Sequence, residues 1–212
     1  MKKFFIALLA IILIGGYFGY DYYQNIFAPN TPSDLKKEFV YIPTNSSFDE
    51  VVTMLVDSGY IENKSSFVWV ANYMDYPKNP MRAGRYKIKP NMNNKTLVGL
   101  LRNGEQSPVR VAMHNKWTVN HIAGLLAQHL ELDSIDLAKT FNDEAFLSQF
   151  DLNAATSMTA FIPDSYDFYW NASAEDVFKK MIFYRDKFWN EERTAKAKAL
   201  GLTKEEVYTL AS

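Results

Sequence analysis

The sequence predicts an α+β protein whose first element is a membrane-spanning helix. After the N-terminal region, short strand-like runs and amphipathic helical stripes follow one another in the order strand, two helices, strand, helix, strand. The 212 residues are 48% hydrophobic and 15% aromatic, which is ample for a packed core and argues against disorder. A long uncharged run follows the first three residues.

This N-terminal run, FFIALLAIILIGGYFGY, extends from Phe4 to Tyr20. As a helix it would be about 25 Å long, close to the roughly 30 Å of a bilayer core. A cleaved signal peptide is the competing interpretation, but bulky tyrosines stand where a small-x-small cleavage site is expected. We therefore expect residues 1–23 to be an uncleaved anchor, with Lys2 and Lys3 in the cytoplasm and the remainder outside.

Residues 24–38 contain two prolines among polar residues and predict a stalk. Residues 39–113 predict a small α+β domain that starts with the strand FVYIP. An S-x-x-E capping box at Ser47 and Glu50 starts its first helix, and AGRYKIKP has the alternation of a half-buried strand. The run VRVAM, Val109–Met113, is expected to close this domain as its last strand.

Residues 114–212 predict the beginning of a second, mixed α/β domain. Helices are expected from Thr118 onward, whereas DLNAATSMTA and the following FIPDSYDFYW read as loop. The segment KAKALGLTKEE is predicted to be a link to a last helix, whose capping box is Thr203 and Glu206. Because this helix has no C-terminal signal, we expect the chain to continue beyond Ser212.

Composition excludes several kinds of chemistry. The chain has no cysteine, so it has neither disulfides nor a thiol nucleophile. Its net charge of −1 gives no basic surface for nucleic acid. His114, His121 and His129 lack the i, i+4 spacing of a helical zinc pair, and a helix-edge role is expected for them.

The run FIPDSYDFYW, Phe161 to Trp170, is the most distinctive part of the sequence, since half of its residues are aromatic. Two interpretations remain open. It is either one wall of a carbohydrate groove or a loop held to the core by its aromatic rings, with Asp164 accepting local backbone amides. Asp164 and Asp167 are too close in sequence to be an acid and base pair across a glycosidic bond.

Several features occur together in one order: the anchor, a LysM-like unit with AGRYKIKP, the helix end LLRNGE, the helix WTVNHIAGLL, the run IPDSYDFYW and the final YTLAS. On these features the sequence resembles the YceG-like family of endolytic murein transglycosylases over nearly its whole length. IPDSYDFYW and the final Leu-Ala-Ser are the most specific matches. Two places depart from the family pattern, His114-Asn115-Lys116 and Met158-Thr159, where relatives carry acidic residues.

The resemblance implies cleavage of the bond between N-acetylmuramic acid and N-acetylglucosamine in peptidoglycan, with formation of a 1,6-anhydro ring. It places the single catalytic glutamate third after Ser212, so no catalytic residue is expected within the chain, which alone would be inactive. Asp164, Ser165 and Tyr166 are the expected substrate-binding residues. No metal or organic cofactor is implied.

The resemblance further implies a single-pass protein of the cell inner (plasma) membrane, anchored through residues 4–20, with glycan strands and cell-wall synthases as partners. Two non-enzymatic alternatives remain. The chain is a membrane-tethered peptidoglycan-binding module that uses its LysM-like unit, or a scaffold that only recruits synthases.

Overall fold

The computed structural model describes residues 2–114 and 118–211. They form two compact units, Met1–Ser107 and Pro108–Ser212, and each combines helices with a pair of antiparallel strands. The predicted α+β class is therefore confirmed. Asn115, Lys116 and Trp117, which belong to the family-like stretch, lie outside the described residues, as does Ser212 of the final Leu-Ala-Ser.

The first unit begins with helix α1, Lys2–Phe27. Its segment Phe4–Phe27 is long and apolar enough to cross a membrane, and none of its most apolar window is buried inside the protein. The helix continues four residues beyond the predicted anchor. At its end Ile26 is buried in the core of the first unit.

The predicted stalk needs a correction, because part of it is built into the first unit. Asn30 and Thr31 are both buried. The Asn30 amide donates hydrogen bonds to Asn94 Oδ1 at 2.6 Å and to the Asn63 carbonyl at 3.0 Å, and Thr31 Oγ1 donates one to the Lys89 carbonyl at 2.8 Å. These partners satisfy polar groups that burial would otherwise leave costly, so this stretch is fixed to the domain.

The remaining elements of the first unit match the predicted order: β1 Phe39–Ile42, α2 Phe48–Asp57, α3 Lys64–Tyr73, β2 Gly84–Lys87 and α4 Asn94–Asn103. β1 and β2 pair in antiparallel register, with Val40 opposite Tyr86. The capping box of Ser47 and Glu50 is confirmed at the start of α2. The helices bury their apolar stripes against one face of this ribbon, and the largest buried side chains include Leu55, Phe67, Tyr76, Tyr86, Leu97 and Leu101.

Strand β3, Val109–Met113, does not close the first unit as predicted. It pairs antiparallel with β4, Asp164–Phe168, from Val109 opposite Phe168 to Met113 opposite Asp164. The unit boundary accordingly falls between Ser107 and Pro108. The prediction failed because alternation identifies a strand but not its partner, which here lies some fifty residues later in the chain.

Besides the β3–β4 ribbon, the second unit contains helices α5 Val119–Ala127, α6 Ser134–Phe141, α7 Glu144–Leu147, α8 Ala174–Phe188, α9 Glu191–Ala199 and α10 Lys204–Ala211. Short 3₁₀ turns occupy Ser148–Phe150 and Ser157–Ala160. Phe178 of α8 lies at the centre of the core, and its ring contacts four other phenylalanines. The predicted link, residues 196–206, overlaps the last four residues of α9 and the first three of α10. The mostly polar sequence of α9, in which only Ala197 is buried, gave no apolar stripe to detect.

Candidate functional site

The run Ile162-Pro163-Asp164-Ser165-Tyr166-Asp167-Phe168 forms a turn followed by strand β4, where the sequence had suggested a loop. From Ser165 to Phe168 the side chains are in turn exposed, buried, half-buried and buried, and Asp164 is exposed as well. Such alternation is the period-two pattern of a half-buried strand. This pattern is visible in the sequence, and it was the signal that could have identified the strand.

Tyr166 lies inside the second unit. Its side chain is 3% exposed, and its hydroxyl donates a hydrogen bond of 2.5 Å to the carbonyl of Ile162. Its ring packs edge-on against Tyr184 at 5.0 Å. Burial, with smaller contributions from Asp164 and neighbouring tyrosines, raises the pKa of Tyr166 to about 12. Tyr166 therefore stays protonated at neutral pH and fixes the turn at Pro163.

Asp164 and Ser165 lie at the exposed start of β4. Asp164 Oδ1 accepts a hydrogen bond of 2.7 Å from the backbone N–H of Ser165, the local contact expected of an aspartate at a turn. The three residues predicted to bind substrate are consecutive on β4. Of the three, Asp164 and Ser165 expose their side chains to solvent, and Tyr166 does not.

An ion pair crosses the ribbon beyond these residues. Arg110 and Asp167 are direct cross-strand partners, and both guanidinium–carboxylate hydrogen bonds measure 2.9 Å. The hydrogen bond from Arg110 lowers the pKa of Asp167, and Lys180 adds a smaller effect of the same sign. This bidentate geometry holds β3 and β4 in register. The Asp167 carboxylate therefore has a structural role, as the partner of Arg110.

The turn at Pro163 meets helix α10 across an apolar pocket of about 240 Å³. Ile162 and Pro163 line one side, and Val207, Tyr208 and Ala211 of α10 line another. Phe188 and Trp189, at the end of α8, complete it. The sequence gave no signal for these two residues as pocket residues, because they continue the apolar pattern of α8.

A side chain of helix α10 connects the helix to the residues that precede this turn. Tyr208 donates a hydrogen bond of 3.2 Å to the carbonyl of Phe161. The predicted capping box at the start of the helix is confirmed, since Glu206 accepts from the Thr203 N–H at 2.8 Å and the Glu206 N–H donates to Thr203 Oγ1 at 3.1 Å. The face of α10 that carries Val207 and Ala211 is therefore held toward the pocket.

The histidines do not meet in one place suited to a metal. His121 Nδ1 accepts a hydrogen bond of 3.4 Å from the backbone N–H of Thr118 and takes part in the cap of α5. Among residues 2–114 and 118–211, no group of three His, Cys, Asp or Glu side chains is placed to hold a metal ion.

Comparison with known proteins gives the family of this two-unit chain. The model of the YceG-like family matches residues 40–212, which is most of the sequence. The chain belongs to the YceG-like family.

Two curated relatives of this YceG-like chain are the endolytic murein transglycosylases of Streptococcus pneumoniae strains D39 and R6. Each is 29% identical over 151 residues, a match that covers 68% of this chain and 26% of the relative. The chain thus spans about a quarter of the length of these relatives. A yceG-like protein of known structure from Listeria monocytogenes is 22% identical, with a TM-score of 0.44 over 78% of this chain and 59% of that one.

Proposed function

We propose that this chain is the membrane-anchored part of a peptidoglycan lytic transglycosylase and supplies one wall of its glycan-binding groove. The observation that carries the proposal is the pocket between Pro163 and the Val207–Ala211 face of α10. It is lined by residues of both stretches that carry the resemblance to the YceG-like family, Ile162 and Pro163 of IPDSYDFYW and Ala211 of the final Leu-Ala-Ser. Membership of that family and the similarity to the pneumococcal endolytic murein transglycosylases support the reaction class.

The chemistry we propose is general acid–base catalysis by one glutamate. By family resemblance, this residue is third after Ser212, and continuation of α10 would put it on the same face as Val207 and Ala211. The apolar walls of Ile162, Pro163 and Trp189 would raise the pKa of a carboxyl group placed among them, so that it starts protonated.

This glutamate first protonates the oxygen of the bond that breaks between N-acetylmuramic acid and N-acetylglucosamine. It then takes the proton of the muramoyl 6-hydroxyl, whose oxygen attacks the anomeric carbon and closes the 1,6-anhydro ring. General acid–base help of this kind contributes about 10²–10⁴-fold to a rate. The resemblance implies neither a metal nor a cofactor for this reaction.

Two residues of the second unit are proposed to contact the substrate, and a third to position them. Asp164 and Ser165 are exposed beside Pro163, and we propose that their oxygens bind sugar hydroxyls and amides at the groove. Tyr166 acts from the inside, since its hydrogen bond to the Ile162 carbonyl fixes the turn that presents them. Tyr166 is thus a positioning residue for the other two.

Helix α1 is proposed to cross the cell inner membrane once, with Lys2 and Lys3 on the cytoplasmic side. Its length and apolar composition support this assignment. The anchor would keep the groove close to newly synthesised glycan strands, and cell-wall synthases are the protein partners that we propose.

The test is product analysis after incubation with purified sacculi. We expect no soluble product from the 212-residue chain, and 1,6-anhydro-ended fragments, identified by mass spectrometry, from a version continued by the codons that follow Ser212 in the gene. Anhydro products from the 212-residue chain would refute the assignment of the glutamate. If the next few codons encoded no acidic residue, the proposal that the protein is an enzyme would be refuted.

The non-enzymatic alternatives make different predictions. A peptidoglycan-binding module would bind sacculi without releasing anhydro-ended fragments in any longer form. A scaffold would recover synthases from membranes while ignoring glycan. Neither has an observation in its favour comparable to the pocket at Pro163.

A further inference from the structure

Three aromatic side chains form a cluster on the first unit, beside the end of the apolar helix. Trp69 and Tyr73 lie one turn apart on α3, and their rings are parallel, with 5.7 Å between centroids and 3° between planes. Tyr22 of α1 packs edge-on against both rings, at 5.3 and 6.0 Å. The three rings therefore fix the direction in which α1 leaves the first unit.

This cluster is not part of the core. Tyr22, Trp69 and Tyr73 expose 42%, 40% and 64% of their surface, although α3 already buries another face through Phe67 and Val70. Large aromatic groups that remain exposed together on one patch mark an interaction surface.

An apolar cleft of about 230 Å³ adjoins the cluster. Its walls include Tyr22, Ile26, Phe27 and Tyr73, and Lys95 of α4 lies at its edge. The Lys95 ammonium group is 5.4 Å from the centre of the Phe27 ring. Apolar walls with a cation at the rim match the arrangement of an acyl chain beneath an anionic headgroup.

We propose that the face formed by Tyr22, Phe27, Trp69 and Tyr73 lies in the interfacial layer of the membrane that α1 crosses. From Phe4 to Tyr22 a helix rises about 27 Å, so a bilayer core that begins at Phe4 ends near the level of Tyr22. Trp69 and Tyr73 touch Tyr22 and are held at the same depth. Tryptophan and tyrosine favour this layer because it receives an apolar ring and a polar tip together.

The inference rests on the proposed anchoring by α1. It adds that the first unit contacts the membrane surface directly and is not connected to α1 by a flexible linker. The built-in contacts of Asn30 and Thr31 agree with a short, rigid exit from the membrane. A sugar-stacking platform is the other use of exposed rings. It is less favoured here because Tyr22, a residue of the apolar helix, already covers part of both rings.

The experiment uses the 212-residue chain in vesicles of phosphatidylcholine and phosphatidylglycerol, with bromine on the acyl chains either near the headgroup or near the bilayer centre. Bromine quenches tryptophan emission on contact, so the two lipids report depth. We expect stronger quenching by the shallow bromine. Trp69→Phe should remove most of the quenched emission, as expected for a residue in the interfacial layer, whereas the matched variant Trp189→Phe in the second unit should leave the intensity lost to bromine unchanged.

Alkaline carbonate extraction of the same vesicles separates the two possible failures. If the chain resists extraction and quenching is the same with and without Trp69, anchoring holds and the proposed membrane contact of the first unit is wrong. If the chain is extracted, the anchor itself is wrong and the proposed contact fails with it. A response of Trp69 emission to soluble glycan strands in micelles, without quenching by brominated lipid, would overturn the lipid assignment in favour of sugar stacking.

Discussion

The phenol of Tyr208 donates a hydrogen bond to the carbonyl of Phe161 at 3.2 Å, and this contact connects the last helix to the turn that precedes strand β4. The two partners are separated by 47 residues in sequence. Burial raises the pKa of Tyr208, so the donor proton is retained at neutral pH. The bond therefore fixes the distance between Pro163 and the face of α10 across the pocket.

The first prediction concerns this bond. Tyr208→Phe keeps the ring and removes the donor, which should cost about 0.5–1.5 kcal/mol of local stability. Hydrogen–deuterium exchange should therefore speed up in α10, Lys204–Ala211, while the amides of α2 stay unchanged. The control is Thr209→Val, which keeps the branched shape and removes a hydroxyl that is bonded to the Glu205 carbonyl within the same helix. Equal exchange in the two variants would show that Tyr208 does not hold the helix.

The second prediction concerns the core of the second unit. Phe178 is completely buried, and its ring lies 5.5–5.7 Å from those of Phe141, Phe146, Phe150 and Phe161. Phe178→Ala should lower the free energy of unfolding by about 3–5 kcal/mol, measured by urea denaturation in detergent micelles. Phe183→Ala on the same helix is the matched control, because Phe183 is 62% exposed and its loss should change stability by at most about 0.5 kcal/mol.

The third prediction concerns the ion pair of Arg110 and Asp167. The pKa of Asp167 is lowered in the folded chain, so pairing stabilises the fold above the ordinary aspartate pKa, and that contribution is lost as pH falls through the lowered value. Arg110→Met should raise the pKa of Asp167 toward the ordinary range, as followed by carbon-13 NMR of the carboxyl group.

Lys179→Met is its control, since Lys179 is paired with Glu175 and its loss should leave the Asp167 titration in place. An Asp167 pKa that does not move without Arg110 would mean that the cross-strand pair does not form in solution.

The fourth prediction concerns Tyr166, whose pKa is raised to about 12. A tyrosine with a raised folded-state pKa contributes stability that is complete below the unfolded value, near 10, and is lost between about 10 and 12. Carbon-13 labelling of tyrosine should show the Tyr166 signal titrating near the upper end of that range. Tyr166→Phe identifies the signal and should make alkaline unfolding less steep. A midpoint near 10 would place Tyr166 in solvent.

Local signals in the sequence predicted much of this fold. The capping boxes of Ser47 with Glu50 and Thr203 with Glu206 are both formed. Gly59 and Gly104 end α2 and α4 with φ of +71° and +70°, a conformation that glycine adopts without steric cost. Each of these features depends on residues within one turn of each other, so sequence alone was sufficient.

The pairing of segments that are distant in the chain could not be predicted from local sequence signals. Val109–Met113 has the alternation of a strand, but its pairing with Asp164–Phe168 depends on register across some fifty residues. The Tyr22 contact with Trp69 likewise joins two helices that sequence patterns treat separately. The candidate site was predicted as a motif, whereas its pocket required the position of α10 and of Phe188 and Trp189.

The most direct test of the account fills the pocket in the version continued beyond Ser212. Ala211 lines the pocket, whereas its neighbour Leu210, which is 75% exposed, is not among the lining residues. If the pocket is part of the glycan groove, Ala211→Trp should lower the release of 1,6-anhydro-ended fragments from sacculi by about 10²-fold, since displacing a bound substrate by an ångström has that effect. Leu210→Trp should release them at the rate of the unmodified protein. Equal rates for both variants, with both folded by circular dichroism, would contradict the central claim.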